Sequence, residues 1–430
     1  MKKTIIIMLA SIAIIAVFLF SMNYTNLKPS RFMVTNIYLK EIGTETVKAV
    51  DTPFAMKKIP KLNEVGTIGI FYDTFGNNLN YLIRKENGEI VLTVSSLDGK
   101  ASKTIHISPE VKNKEKGKVI FSENKIYIGL GEHIYSIARS SGLVEDIVLP
   151  KERFPCGEEL LPSKEEADNH DIIDIANVGN LTAISRNNSY GVMLFNPLNK
   201  SFDEIKLPQE FGTVNKIIPF DDNTIFVTNF YSGKGGYLIK DQFAKLNLKT
   251  KTFYIFNQPV QKLFIYNRGI WGVDLNGKLF TLDDKLEQIK SYDFNTFIAT
   301  DVVPSKDGIW FVGADIDPSD GLNIYSNVSD EPPSGNSFGV IQLPIKKQIF
   351  FVGCFKPEGH ALLKSYLLLH DPTPVYGPNR EAAEKVGEGL KSSVMIPSGI
   401  ISLDKGGALV LMDDFYQFEE EGISQTTQVP

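Results

Sequence analysis

Asn215–Phe220 (NKIIPF), Thr224–Asn229 (TIFVTN), Ala244–Leu248 (AKLNL) and Thr252–Phe256 (TFYIF) follow one another with turns or one Gly-rich loop between them. Each run is short, rich in β-branched and aromatic residues, and bounded by Asn, Asp, Gly or Lys. That is the signature of a strand and its turns. Four such strands in succession make an antiparallel meander, the unit of a propeller blade. Lys118–Phe121, Lys125–Gly129, His133–Ala138 and Val144–Leu149 repeat the arrangement.

Working outward, the unit recurs. Each second strand places an apolar pair after a turn: Leu82-Ile83, Ile126-Tyr127, Leu181-Thr182, Ile225-Phe226, Ile270-Trp271, Ile309-Trp310 and Ile400-Ile401. Successive pairs up to Ile309 lie roughly 39 to 55 residues apart, the spacing of four-stranded repeats. The last gap, Ile309 to Ile400, is about twice that period. It holds Gln348–Cys354 and Leu362–Leu369, which offer a further blade. The expected fold is therefore all-β, a seven- or eight-bladed β-propeller. One blade cannot bury both faces alone, so it needs neighbours, and a ring supplies them. The strand signals Phe32–Leu39 and Glu45–Val50 are expected to complete the last blade, of which Gly399–Leu403 and Ala408–Phe415 form only a part.

Ahead of the repeats, Lys2 and Lys3 precede an apolar run from Thr4 to Met22. Its length approaches the roughly 20 residues a helix needs to span a bilayer. The flanking lysines then stay on the cytoplasmic side. The expected organisation is 1–22 a signal-anchor transmembrane helix, 23–31 a linker, 32–418 the propeller and 419–430 a tail. The propeller would lie outside the cytoplasm. A cleaved leader, giving a secreted protein, is the alternative.

Composition narrows the function class. Apolar residues make up 43% of the chain, enough for a core, and charged residues 22%. A formal charge of −6, with no basic cluster beyond the first three residues, gives no footprint for nucleic acid. Cys156 and Cys354 belong to no C-x-x-C pair, and a disulfide between them is open. The five histidines (His106, His133, His170, His360, His370) share no metal spacing. No G-x-S-x-G occurs. Gly233-Lys234-Gly235-Gly236 lacks the strand–loop–helix setting of a phosphate cradle. The acidic stretch Glu158–Asp174 reads as a solvated insertion, and Asn379–Leu390 as a short capped helix. Asp315, Asp317 and Asp320, followed by Gly321, resemble a calcium loop, but position twelve is Ser326 where a Glu belongs. Trp271 and Trp310 recur at one position per repeat, which predicts packing between blades.

Val303–Gly313 contains Asp307-Gly308-Ile309-Trp310-Phe311-Val312-Gly313. It resembles a repeat of the propellers in extracytoplasmic sensor domains of two-component regulators, with Gly321-Leu322-Asn323-Ile324-Tyr325 as its second part. Asn267–Gly272 with Gly277–Phe280 is a looser copy. The resemblance implies that loops from second to third strands share one face, where ligands bind. Here those loops are 186–190, 230–236, 274–277 and 315–321, with Arg186, Tyr190, Phe230, Tyr231, Lys234, Asp274 and Asn276 as candidate contacts. The functional expectation is a non-catalytic binding module for a protein, peptide or glycan. An extracellular propeller enzyme acting on carbohydrate or peptide, and a structural envelope component, are the alternatives. No resident cofactor is expected beyond the calcium site.

Overall fold

The computed structural model describes residues 33–420 except 53, 60–61, 63–65, 99, 109–116, 152, 156–169, 231–241, 275–276, 295–296, 316–348, 369–374, 378–398, 404 and 412–414. Seven separate antiparallel sheets follow one another along the chain. Blade A is β5 (Thr67–Asp73), β6 (Asn78–Arg84), β7 (Ile90–Ser96) and β8 (Ala101–Ser108), and blade B is β9 (Gly117–Phe121), β10 (Lys125–Leu130), β11 (His133–Ala138) and β12 (Val144–Val148). Blade C is β13 (Ile172–Val178), β14 (Leu181–Arg186), β15 (Gly191–Asn196) and β16 (Ser201–Lys206), and blade D is β17 (Thr213–Asp221), β18 (Thr224–Phe230), β19 (Phe243–Asn247) and β20 (Thr252–Phe256). Blade E is β21 (Lys262–Tyr266), β22 (Gly269–Val273), β23 (Leu279–Leu282) and β24 (Gln288–Asp293), and blade F is β25 (Phe297–Ser305), β26 (Gly308–Asp315), β27 (Ile349–Lys356) and β28 (Ala361–Leu368), with β29 (Val375–Gly377) beside β28. Blade G takes β30 (Gly399–Ser402), β31 (Ala408–Leu411) and β32 (Phe415–Glu420) from the end of the chain. Its fourth strand is β4 (Phe54–Ile59), paired antiparallel with β32.

Why the ring closes is visible in the side chains. Alternate residues of each strand point to opposite faces, so each blade offers one apolar face to each neighbour. Leu82 and Leu92 of blade A meet Ile128 and Leu130 of blade B. Tyr127 and Ile134 meet Ile175 and Ile184. Ala183 and Leu194 meet Val227 and Leu246. Phe226 and Phe243 meet Leu263 and Phe280. Trp271 and Tyr292 meet Phe311 and Phe355. Trp310 and Val352 meet Ala408 and Phe418. Leu409 and Ile59 of blade G meet Tyr81 and Ile83 of blade A, and the ring is shut. Each such Val, Leu, Ile or Phe side chain contributes about 1.5–3 kcal/mol by leaving water.

Trp271 and Trp310 sit in successive interfaces, 7% and 0% exposed, as their once-per-blade spacing predicts. The Asp-Gly of the repeat core has a mechanical role. The Asp307 carboxylate accepts the Trp310 indole N–H at 2.9 Å and, from blade G, the Gly407 N–H at 3.1 Å. Gly308 has φ +156°, and a Cβ there would lie 2.6 Å from Cys354 Sγ and 2.9 Å from the Phe355 carbonyl oxygen. Only glycine fits that turn.

The first strands do something the sequence did not suggest. β1 (Met33–Ile37), β2 (Lys40–Thr46) and β3 (Lys48–Asp51) do not complete the last blade. They run as a strap along the outside of three blades, each parallel to an outermost strand: β1 on β20, β2 on β24 and β3 on β28. Only then does the chain reach blade G as β4.

Three further expectations change. Ile400-Ile401 belongs to the first strand of blade G, not the second. The doubled final period is no eighth blade, because its strand signals are β27 and β28 of blade F, displaced by the long connection 316–348. The third strand of that repeat is therefore β27, while 321–325 lies outside the described residues. β32 extends through Glu420, so two residues of the expected tail belong to a sheet. Among the described residues there is no α-helix, only single 3-10 turns at Gln209–Phe211 and Pro357–Gly359. None is long and apolar enough to cross a membrane, and segments 1–22 and 379–390 lie outside the described residues. So does Cys156, while Cys354 is buried.

Candidate functional site

The innermost strands of the seven blades surround an axial channel. All run in one direction, so their first residues share an axial face with the connections from second to third strands. Their last residues share the opposite face with the first-to-second turns.

The entry face carries a ring of charges. In β13 the register slips between Ile172 and Asp174, a bulge that re-aims the side chain. Asp174, 3% exposed, accepts the Ile217 N–H of blade D at 2.8 Å. Lys216 Nζ and Lys118 Nζ, from the blades on either side, lie 3.5 Å and 3.9 Å from its other oxygen. Blade F repeats the device. β25 slips between Ala299 and Asp301. Asp301 accepts the Ile400 N–H of blade G at 3.1 Å and is ion-paired with Lys262 of blade E. These carboxylates pin neighbouring blades together.

Beyond the ring, toward the opposite face, lies an axial cavity of about 520 Å³. Ile70, Phe71, Ile120, Phe121, Ile217 and Ile401 line it, with Asn177 and Thr74 among the few polar groups. Most of these apolar side chains are only half-buried. At that far mouth Asp73, 1% exposed, takes both Arg139 Nη atoms at 2.6 and 2.7 Å, a bidentate pair joining blades A and B. The guanidinium lies 5.6 Å from the Phe75 ring and 5.7 Å from the Phe121 ring. Phe75 and Phe220, in or beside first-to-second turns, are exposed on the same face. The result is an apolar well with Phe71 and Phe121 in its wall, suited to receive an aliphatic or aromatic side chain.

Those residues singled out from sequence that the structure describes lie at the other end of the channel. Arg186 is buried, its guanidinium donating to the carbonyl oxygens of His170 (2.8 Å) and Pro150 (2.9 Å), with Glu132 at 3.6 Å. Tyr190 is buried as well, and its amide donates to the Phe154 carbonyl. Both act as scaffold beneath the loop. Asp274 closes its own turn by accepting the Lys278 N–H at 2.8 Å. Phe230 and Asp315 end strands β18 and β26. Tyr231, Lys234, Asn276, Asp317 and Asp320 lie outside the described residues. The expected calcium loop thus lies largely outside the described residues, and among the described residues no group of three metal-ligating side chains occurs. His106, His133 and His360 are each paired with a surface carboxylate, Glu89, Asp146 and Glu45 respectively.

The well is assembled from inner strands of five blades, so no local motif announces it. Its signal in the sequence was the apolar ends of those strands, such as Ile70-Phe71 and Ile120-Phe121, where alternation gives way to continuous apolar residues.

No protein-family model matches the chain, and no curated protein sequence matches it. Solved structures do. The WD40 repeats of RRP9 align with a TM-score of 0.50 at 6% identity, over 86% of this chain and 98% of that one. YCF48 bound to D1 peptide gives 0.49 at 9% identity, over 89% and 100%. The extracellular domain assigned to a one component system, BT4673, from B. thetaiotaomicron gives 0.47 at 12% identity, over 85% of this chain and 40% of that longer one. At these identities the likeness shows the fold alone.

Proposed function

We propose that this chain is a non-catalytic recognition module whose propeller binds a protein or peptide partner, held at the outer side of a membrane by segment 4–22. The observation that carries the reading is the axial well, whose lining is largely apolar and in good part half-buried, with Phe75 exposed beside the Arg139 that closes its far mouth. Side chains of that kind gain free energy when a partner covers them. The carboxylates nearest the channel favour recognition over catalysis. Asp73, Asp174 and Asp301 each hold a neighbouring blade through defined bonds. A sugar platform is disfavoured, since both tryptophans are packed inside interfaces.

The test uses solubilised full-length protein to capture partners from envelope extracts, followed by measured affinity for the partner identified. Ile401→Asp and Phe75→Asp should each weaken that affinity by about tenfold or more, the effect of losing a central apolar contact. Lys216→Glu, at the opposite mouth, should leave it unchanged. A partner lost by Lys216→Glu and indifferent to the other two would move recognition to the loop face. Removing residues 1–22 and fractionating cells tests the anchor separately.

A further inference from the structure

Among the described residues, several large apolar side chains are exposed, and Val34 (37%), Tyr38 (78%), Ile42 (53%) and Val50 (37%) all lie on the strap. Their placement is specific. Tyr38 occupies the corner between β1 and β2, at the rim where blade D passes to blade E. Ile42 is the extra residue of a bulge, because the pairing passes from Glu41–Ile289 to Gly43–Lys290. The bulge frees it from the ladder at the outermost strand of the ring. Lys40, Glu41 and Lys48 flank the two, so the rim carries both signs of charge.

The strap is also the described part of the ring nearest in sequence to the apolar run. Residues 23–32 separate Met22 from β1. Ten residues fully extended reach at most about 35 Å. A bilayer crossed by segment 4–22 would then lie within that distance of β1, the start of the strap that exposes Tyr38 and Ile42. Tyrosine, with an apolar ring and a polar tip, suits the boundary between headgroups and acyl chains. Mixed flanking charge makes the contact apolar in character, with no requirement for anionic lipid.

We propose that the strap corner is a lipid contact: Tyr38 and Ile42 enter the headgroup–acyl boundary, so the ring stands on its D–E edge. Both axial mouths then open parallel to the membrane surface, accessible to a partner. This rests on the anchor reading under Proposed function.

The experiment reconstitutes the full-length protein in phosphatidylcholine vesicles with and without brominated acyl chains. The native tryptophans are few, Trp271 and Trp310, and both are buried between blades, which keeps their emission a constant background. Tyr38→Trp adds a reporter at the corner, and Val148→Trp adds one on the bare rim of blade B, where Val148 is 61% exposed. Bromolipid should quench the added emission of Tyr38→Trp and spare that of Val148→Trp. Ile42→Asp in the Tyr38→Trp background should reduce the quenching, and raised salt should leave it intact. Vesicles that float with the protein while Tyr38→Trp stays unquenched would overturn the proposal. So would equal quenching at both positions, or a Tyr38→Trp emission shielded by a second copy of the chain in crosslinking. If the protein does not float with vesicles at all, the anchor reading has failed, and that outcome is distinct from the others.

Discussion

Blades D, E and F carry a fifth strand on their outer edge, whereas A, B and C end at their fourth. The chain resolves the same edge problem in two ways. An unpaired outermost strand invites association unless it is charged, short or covered. The bare edges are charged: β12 reads VEDIV, β16 reads SFDEIK, and β8 carries Lys103 and His106. On the covered side β20 reads TFYIF with no charge at all, and β1 seals it. Where a covered strand does keep a charge, the strap answers it. Glu45 of β2 meets Lys290 of β24 at 2.8 Å, and Asp51 of β3 meets the buried Lys364 of β28 at 3.4 Å. The contrast is sharpest between β16, charged and bare, and β20, apolar and sealed by the strap.

The strongest way to break this comparison is at the strap's far end. β4 leaves the strapped side and closes blade G, and Phe54 packs its ring 4.9 Å from Trp310. Phe54→Ala should cost about 3–5 kcal/mol, the range for truncating a buried aromatic. Phe195→Ala, inside blade C and 1% exposed, should cost a similar amount. The two differ in what is lost. Limited proteolysis should cut the Phe54→Ala protein first near β4 and β32, while Phe195→Ala should keep that seam intact. A seam equally protected in both variants would mean that closure does not depend on β4.

The two aspartate pins test whether the halves are held alike. Asp174, serving blades C and D, has a side chain only 4% exposed, whereas Asp301, serving F and G, is 32% exposed. Asp174→Ala strands the buried Ile217 N–H and should cost about 1–3 kcal/mol in urea unfolding. Asp301→Ala should cost less, since the Asp301 side chain is itself partly exposed to water. Asp174→Asn keeps an acceptor and should recover part of the loss. Equal costs at the two positions would show that burial does not set the value of these pins.

Much of this architecture was legible in the chain. Six of the seven second strands were found from an apolar pair after a turn, because each blade repeats the same packing need. Trp271 and Trp310 were placed between blades by their spacing alone. The misreading of Ile400-Ile401 has a physical cause: the connection 316–348 separates β26 from β27, so constant spacing, the basis of the count, fails there. The strap was hidden because parallel pairing to an outer edge leaves no turn signal and asks only for short extended segments. The well was hidden because it is built from single residues of distant blades, while loop residues such as Arg186 looked exposed and are in fact tied into the scaffold.

Acid sharpens the comparison with opposite signs. On the strapped side the Lys290 ammonium, by hydrogen bond and charge, holds the Glu45 carboxyl below its ordinary value of 4.5. A lowered acid stabilises the fold above 4.5, and the contribution fades as pH falls through the folded value. On the bare side burial raises Glu204, against the pull of the Arg153 amide and nearby arginines. A raised acid destabilises the fold at neutral pH, and the penalty disappears as pH falls toward 4.5. Glu45→Gln should therefore lower the unfolding midpoint at pH 7, and Glu204→Gln should raise it. Both differences should vanish in acid. Shifts of one sign for both variants would refute the opposed environments.

The smallest expected effect bears on why the strap exposes apolar side chains at all. Tyr38 is 78% exposed and sits outside the strands, and Ile42 is freed from the ladder by its bulge. Neither fills space in a blade interface. Tyr38→Ser and Ile42→Ser should thus change stability by no more than about 0.5 kcal/mol, the usual range for surface substitutions. Leu198→Ser, at an 84% exposed turn of blade C, sets the reference for the bare half. If the strap variants match that reference, folding does not account for the exposed tyrosine and isoleucine, and their chemistry answers to whatever covers the rim. If they fall well beyond it, the corner is a fold element, and the two halves differ in how their stability is distributed as well as in their edges.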